Sequence, residues 1–578
     1  MAQEFFLFQE MDDGPGQAPQ NHCLERQVGQ GREGRTDAEG QDAEGQTPLV
    51  APMLLGVLIL IGSFYNLANY PTIWWDEAIF SEAAANLVQH GRYAFTVQSP
   101  NQLVDFDFRI SAGPAVILPV ALAYKLFGVS LLSGRLVAGA YLVLAFLALF
   151  LGARHLWGPV TALLAVALAF VGTDVLYWGR SVLGDIPGLG LFLCATWFLI
   201  RGLESRSLWP LFLGGIFVGL AFNAKEFYGL AGLPPLVILA QQHWRDKRRL
   251  TGSVLAFVAG AAIPPLAYLA LKAVILGSLT GAISHFLEQK KLLCHEFFTP
   301  LTIGRIYPES LLFLAQNPLF WLGCLGVAWV WRKETPSPGV KLWILNFFLW
   351  SGVYLTAVYW HRFALPGLFL ACPLAAYFLG QVAARLTAKV LTPPPRWLAP
   401  GIIAAFAVLF SPFGGLDFFK QILICQGSAP AGLVQYLRSH VPTGCLIETP
   451  EYELAFLDDD HRIHHMPSYF FVESTPDKVV LLNPRKQPYE FNRVGADILI
   501  LGRFGKGVFK QVYPPALINR EWRRVAQIDC YDIYVCKKSA KKVLSLMNQT
   551  LASHQKDSLV KPANANNLPG TTVDSFYQ

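Results

Sequence analysis

Charge is scarce in this sequence. Asp, Glu, Lys and Arg make up 15% of its 578 residues, against about 25% in an ordinary soluble domain. The nine cysteines include no CxxC pair, which removes the usual zinc and dithiol signatures. Cys530 with Cys536, or Cys425 with Cys445, would form disulfides if they faced an oxidising compartment; thiols packed as small apolar groups are the expected state. A secretory signal is not expected either, because no basic segment followed by a short apolar core opens the chain. What is abundant is apolar: 53% of residues are hydrophobic and 13% aromatic, with 49 Gly and 38 Pro scattered through the apolar runs. In a water-soluble fold that much Gly and Pro would break the elements, so the composition points to a membrane protein and excludes collagen, coiled coil and disorder for most of the chain.

The formal net charge is +6, but residues 1–47 hold ten acids against three Arg and contain the tandem repeat DAEGQDAEGQ. Such a segment cannot bury enough surface to fold, and a disordered acidic tail is expected there. From Pro48 to Trp75 no charge occurs, enough for one spanning helix of about 20 residues. Further apolar runs lie at 136–153, 158–179, 182–200, 207–224, 226–241, 250–271, 310–331, 342–360, 363–384 and 397–416. Eleven transmembrane helices follow, in a transmembrane domain over 48–416. The stretch Ala112 to Val129 carries Lys125 and two Pro, and is expected as a helix on the membrane surface within a first outer loop at 71–135.

With the amino terminus inside, the inner loops hold thirteen bases (Arg154, Arg201, Arg206, Arg245, Lys247, Arg248, Arg249, Arg332, Lys333, Lys341, Arg385, Lys389, Arg396) against three acids, Glu204, Asp246 and Glu334. The outer segments up to Arg362 hold eleven bases and ten acids. The asymmetry of short loops sets orientation, so the amino terminus is expected in the cytoplasm and residues 417–578 outside. Residues 417–540 read as a small extracytoplasmic α/β domain, with a helix near 430–440, strands at Cys445–Glu448 and Ala496–Leu501 and a hairpin-like pair at 522–537. The polar stretch 541–578 reads as a loose tail. The basic excess belongs to cytoplasmic loops, so no nucleic-acid partner is expected.

Trp74-Trp75-Asp76-Glu77 lies just outside the first span and leads into an amphipathic stretch to Phe95. Two acids past two Trp sit at headgroup depth, where partial desolvation suits a carboxylate to accept a proton from a hydroxyl; an ordinary helix start, with acids favoured by the dipole, gives the same pattern. Under the same topology Arg109, Arg180, Asp185, Lys225, Glu226, His361 and Arg362 gather in turns on that side. Single cations at a membrane face often only snorkel. Several together with Asp76, Glu77 and Asp185 suit a phosphate-bearing lipid, since Arg and Lys hold the anion and stabilise a phosphate leaving group. Asp460, His461 and His464, with His465, match no helical metal-ligand spacing and read as a polar loop. The loop from Gly277 to Glu309 is long enough to cover a site.

These residues carry a resemblance. WWDEAIFSEAAANLVQHGRY, FDFRISAGPAVILPVALAYKLFGVSLLSGRL, GRSVLGDIP, GLAFNAKEF and YWHRFALPGLFL resemble, in order, the motifs of the GT-C superfamily of polytopic glycosyltransferases, in the branch of protein O-mannosyltransferases and the aminoarabinose transferases of lipid A. The resemblance spans roughly 50–540, with one departure: Ile110-Ser111-Ala112-Gly113-Pro114 stands where the family has Pro-Pro after its first-loop cation. It implies a plasma (inner) membrane enzyme that moves a sugar from a polyprenyl-phosphate donor to the hydroxyl of a lipid, glycan or protein acceptor at the outer face, with inversion. Asp76 would be the general base, Glu77 would orient it, Arg109, Lys225 and Arg362 would hold the donor phosphate, and Arg180 with Asp185 would shape the second outer loop. Acids in these loops bind a divalent metal in related oligosaccharyltransferases, whereas the mannosyltransferase branch works without one; no cofactor is expected, with a metal left open. The rival is a multi-span transporter or lipid flippase. Such proteins place ionisable groups mid-span, often in repeated halves; here the charges sit at span ends and no repeat is visible.

Overall fold

A computed structural model of the chain describes residues 50–98, 102–205, 207–296, 306–333, 335–356, 360–390, 415–466, 471–475, 478–482 and 489–558. The acidic segment 1–47 and nearly all of the expected span 397–416 lie outside the described residues.

The apolar runs up to 363–384 each hold a helix. The chain begins with α1 (Val50–Phe64), α2 (Trp75–His90), a hairpin of β1 (Ala94–Gln98) and β2 (Gln102–Asp105), and α3 (Pro114–Phe127). There follow α4 (Leu131–Trp157), α5 (Pro159–Gly172), the single turn α6 (Val175–Trp178), α7 (Asp185–Ser205) and α8 (Leu208–Ala224). A 3-10 stretch at Glu226–Gly232 leads into α9 (Leu233–His243), α10 (Lys247–Ile275) and α11 (Leu279–Glu296). The series closes with α12 (Pro308–Gln316), α13 (Pro318–Lys333), α14 (Pro338–Thr356) and α15 (Leu365–Val390).

Local sequence sets these boundaries. The Ser130 hydroxyl caps α4 by accepting from the Ser133 N–H at 3.1 Å. Gly158, at φ +85°, ends α4 in a conformation that side chains disfavour, and Pro159 opens α5 where its missing N–H costs nothing. Helix α7 is apolar on every side and accordingly central: 83% of its most apolar window is buried, against 11% for α10 at the periphery. Among the described residues four helices, α4, α7, α10 and α15, are long and apolar enough to cross a membrane, and α12 with α13, bent by 71°, makes a fifth if the pair is one span. Helices α1, α3, α5 and α8 are apolar but shorter. In the loop expected as a cover, 277–309, residues Leu279–Glu296 form helix α11, and 297–305 lie outside the described residues.

Past the bundle, a helix at Ala429–His440 packs on a seven-stranded sheet of order β2-β1-β4-β3-β7-β9-β8. Strands β3 (Leu446–Glu448), β4 (Arg462–His464) and β7 (Ile498–Leu501) run parallel; β8 (Trp522–Ile528) and β9 (Tyr531–Cys536) form the antiparallel edge. Strands β5 (Phe471–Thr475) and β6 (Lys478–Leu482) form a separate antiparallel pair. Sequence reading assigned this sheet to residues 417–540 alone. The structure extends it with the first-loop hairpin: β1 meets β4 at Gln98 and His464, and the His465 N–H donates to the Val97 carbonyl at 2.9 Å. Residues 541–558, expected as a loose tail, instead belong to a helix (Ala540–Ser558) whose Val543 and Met547 join the core of Leu433, Leu437 and Ile500. Its apolar residues fall on one face at helical spacing, and that face is covered. Cys425, Cys445, Cys530 and Cys536 are free thiols.

Candidate functional site

Asp76 and Glu77 are neighbours in the first turn of α2, and about 100° of helix rotation sends their carboxylates to different surroundings. Glu77 is fully buried. Its two oxygens accept from Arg135 Nε and Nη2 at 2.8 and 2.7 Å, and Oε1 also accepts from the Val182 N–H at 3.0 Å. Arg135, equally buried, donates a third bond to the Leu67 carbonyl at 2.7 Å. A bidentate pair with its remaining donors satisfied is the arrangement in which a buried ion pair is tolerated, and here it fastens α2 to α4 and to the turn before α7.

Asp76 keeps 19% of its side chain exposed, and its Oδ2 accepts from Arg362 Nη2 at 2.9 Å. Arg362 lies in the 3-10 turn His361–Phe363 before α15, 3% exposed, its guanidinium 4.4 Å from the Trp360 ring and 5.5 Å from that of Trp178. On its other side Nη1 stands 4.0 Å from Asp185 Oδ2, and Lys225 Nζ approaches the same oxygen at 3.4 Å. Asp185 opens α7, and Lys225 closes α8. Two glycines let the Lys225 turn come this close. A Cβ on Gly184 would sit 2.5 Å from the Ala224 carbonyl oxygen, and one on Gly113 would sit 2.0 Å from that of Asn223. The result is a row, Asp76, Arg362, Asp185, Lys225, alternating in sign across four helix ends at one end of the bundle.

The other expected residues lie apart from this row. Arg180, fully buried, donates to the carbonyls of Gly62, Tyr65 and Tyr70 at 2.5, 2.6 and 3.0 Å, and so closes the end of α1 and the stretch that follows. Arg109 is bonded to Asp107 at 2.9 and 3.1 Å and to the Tyr452 hydroxyl at 2.7 Å, and its guanidinium lies 3.8 Å over the Phe95 ring. Its partners belong to the first loop and the sheet-bearing region.

Beside Arg109, Glu82 is 6% exposed; one oxygen accepts from the Thr96 N–H at 3.2 Å and the other has no hydrogen-bond partner. Burial pushes its carboxyl up to about 7, against the opposing pull of Thr96 and Arg109. Burial also pushes the neighbouring His465 down to about 3, so it is neutral, its Nδ1 2.8 Å from the Thr449 carbonyl oxygen. The histidines near 461 serve separate contacts: His461 bonds Asp458 at 2.7 Å and His464 bonds Glu448 at 2.5 Å. The carboxylates of Asp458, Asp459 and Asp460 do cluster, with Arg438 paired to the latter two.

Sequence reading assigned no role to Arg135, although a charge inside an apolar helix is itself a signal. Nor did it single out Tyr452 or Phe504, which stack on Trp75 with ring centroids at 5.0 and 5.4 Å; single aromatics in a chain this rich in them carry no local mark.

The family described as dolichyl-phosphate-mannose-protein mannosyltransferase matches residues 111–268, a stretch that includes Arg135, Asp185 and Lys225. No curated protein matches the chain. Among solved structures, ArnT from Cupriavidus metallidurans bound to undecaprenyl phosphate is similar with a TM-score of 0.56 over 84% of this chain and 97% of that one, at 13% identity. The same protein in its apo state gives 0.54 over 86% and 98%, at 14% identity. The apo oligosaccharyltransferase of Archaeoglobus fulgidus gives 0.50 over 79% and 70%, at 13% identity. The fold is that of the solved ArnT and oligosaccharyltransferase structures, and with its apolar helices the chain is a polytopic membrane protein.

Proposed function

We propose that the chain transfers a sugar from a polyprenyl-phosphate donor to an acceptor hydroxyl at the extracytoplasmic face of the plasma membrane, the carboxyl-terminal region lying on that face. The observation that carries this reading is the row Asp76, Arg362, Asp185, Lys225 at one end of an apolar bundle. It offers two cations to a phosphate and one partly exposed carboxylate beside them. The similarity to a protein solved with undecaprenyl phosphate supports the choice of donor.

In this mechanism the donor phosphate takes up Arg362 and Lys225. An anion arriving at Arg362 competes with Asp76 for the same guanidinium, which turns the carboxylate toward the acceptor. The acceptor hydroxyl gives its proton to Asp76 while its oxygen bonds to the anomeric carbon. The bond from that carbon to the phosphate oxygen breaks, and its electron pair leaves with polyprenyl phosphate, stabilised by the two cations. Attack opposite the leaving group inverts the anomeric centre. Asp185 keeps Arg362 and Lys225 apart and oriented. Glu77, through Arg135, holds the helix that carries Asp76; Arg180 holds the loop before it; Arg109 acts on the sheet side rather than on the phosphate. A divalent ion would need Asp76 and Asp185, and each already faces a basic side chain; Arg362 and Lys225 supply the positive charge, and no metal is proposed. The acceptor is a lipid, glycan or protein hydroxyl, and nucleic acid is not among the partners.

The test is a panel of undecaprenyl-phosphate-linked pentoses and hexoses offered to the protein in nanodiscs with membrane extract as acceptor source, reading release of undecaprenyl phosphate. Asp76→Asn should lose transfer by about 100-fold or more at unchanged expression and thermal stability. Full activity in that variant removes the assigned base, and a flippase would move lipid without releasing any sugar.

A further inference from the structure

Asp76 sits between two residues that are each held by a different part of the molecule. On its carboxyl side Glu77 is locked to Arg135 of the helix bundle. On its amino side the Trp75 indole lies between two rings of the sheet-bearing region: Tyr452 at 5.0 Å and 22°, Phe504 at 5.4 Å and 25°. Phe509 closes the end of this slot at 5.9 Å, and Trp74 meets Phe504 edge-on at 5.5 Å.

Both jaws of the slot are tied through one carboxylate. Glu451, next to Tyr452 in the chain and fully buried, accepts from the N–H groups of Gly502 at 2.7 Å, Gly505 at 2.8 Å and Phe504 at 3.4 Å. The turn that presents Phe504 is thus anchored to the residue that precedes Tyr452. Tyr452 is fixed in turn: it is 1% exposed, its hydroxyl accepts from Arg109 at 2.7 Å, and Phe95 and His465 meet its ring edge-on at 5.2 and 4.6 Å. Stacked aromatic pairs of this kind have a preferred relative orientation, so the slot sets both the position and the tilt of Trp75.

We propose that the sheet-bearing region is a positioning module for the reaction, in which Tyr452 and Phe504 clamp Trp75 and thereby hold Asp76 against the Arg362 row. This rests on Asp76 being the base. Tyr452 and Phe504 are positioning residues, since neither contacts the row.

The test uses the full-length protein in nanodiscs with whichever member of the undecaprenyl-phosphate sugar panel turns over. Misplacing a reacting group by about 1 Å is enough for roughly a 100-fold loss. Tyr452→Ala is expected to lower kcat by about tenfold or more with the donor KM within about threefold, and to speed hydrogen exchange in peptides covering 74–82. Tyr452→Phe keeps the ring and loses only the bond to Arg109; it should restore kcat and exchange protection. Phe504→Ala, on the opposite jaw, should repeat the Tyr452→Ala pattern. Equal kcat losses in Tyr452→Phe and Tyr452→Ala overturn the clamp in favour of the hydroxyl bond. Unchanged exchange over 74–82 in Tyr452→Ala overturns the clamp by itself, whatever the activity. A wild-type protein that transfers no sugar from any donor overturns the proposed function, and with it the catalytic purpose of the clamp.

Discussion

Arg362 Nη2 lies 2.9 Å from Asp76 Oδ2, joining the first turn of α2 to the turn before α15 across 286 residues of chain. The pair puts the carboxylate assigned as base and the cation assigned to the phosphate in direct contact. Each is therefore set by the other before any donor arrives.

If the donor phosphate displaces Asp76 from Arg362, the two ends of the pair should fail differently. Arg362→Lys retains a charge without the planar fork and is expected to weaken undecaprenyl phosphate binding by about tenfold. Asp76→Asn should leave that binding intact or tighten it, because the competing anion is gone. Equilibrium binding of undecaprenyl phosphate to the two purified variants separates these outcomes; parallel losses would contradict the exchange of partners.

Glu77 lies beside the proposed base but is held by Arg135. Arg135→Met leaves a carboxylate buried with only the Val182 N–H to satisfy it, and removing one partner of a buried pair costs about 3–5 kcal/mol. Thermal unfolding of detergent-purified protein should show a large drop for Arg135→Met, and none for Asp76→Asn. A normal melting temperature in Arg135→Met would release Glu77 from this structural role.

Glu82 makes stability depend on pH with a definite sign. Burial raises its carboxyl to about 7 in the folded chain, above its value in the unfolded one, so the folded state binds the proton more tightly. That contribution is fully present below the ordinary carboxylate range and is lost as pH rises towards 7, at a cost of about 3 kcal/mol in all. Glu82→Gln removes this dependence. Melting temperatures taken at half-unit steps from pH 5 to 8 should therefore fall more steeply for the wild type than for the variant; parallel curves would mean that Glu82 titrates in its ordinary range.

Much of the fold was legible because it depends on local composition. The apolar runs, the Gly158-Pro159 break between α4 and α5 and the order of the motifs all lie within short windows of chain. The helix at 540–558 was missed because its mean composition is polar, and only its contacts with the 429–440 helix reveal a buried stripe. The β1–β2 hairpin was missed as part of the sheet because strand pairing across some 360 residues leaves no local trace.

For the site, composition and loop position were enough to expect acids and bases at the ends of apolar helices, since transferring charge into hydrocarbon is unfavourable and restricts ionisable groups to the ends of spans. They could not say which of those groups would meet in the row Asp76, Arg362, Asp185, Lys225 and which would be held elsewhere. Asp76 and Glu77 are chemically alike and adjacent, and Arg109, Arg180 and Arg362 are the same residue in similar turns. What separates them is which neighbours the packed helices bring within 3 to 4 Å. Electrostatic and hydrogen-bond energies fall off over that distance, so only the tertiary arrangement could decide that Glu77, Arg180 and Arg109 are held in structural contacts while Asp76 and Arg362 face each other.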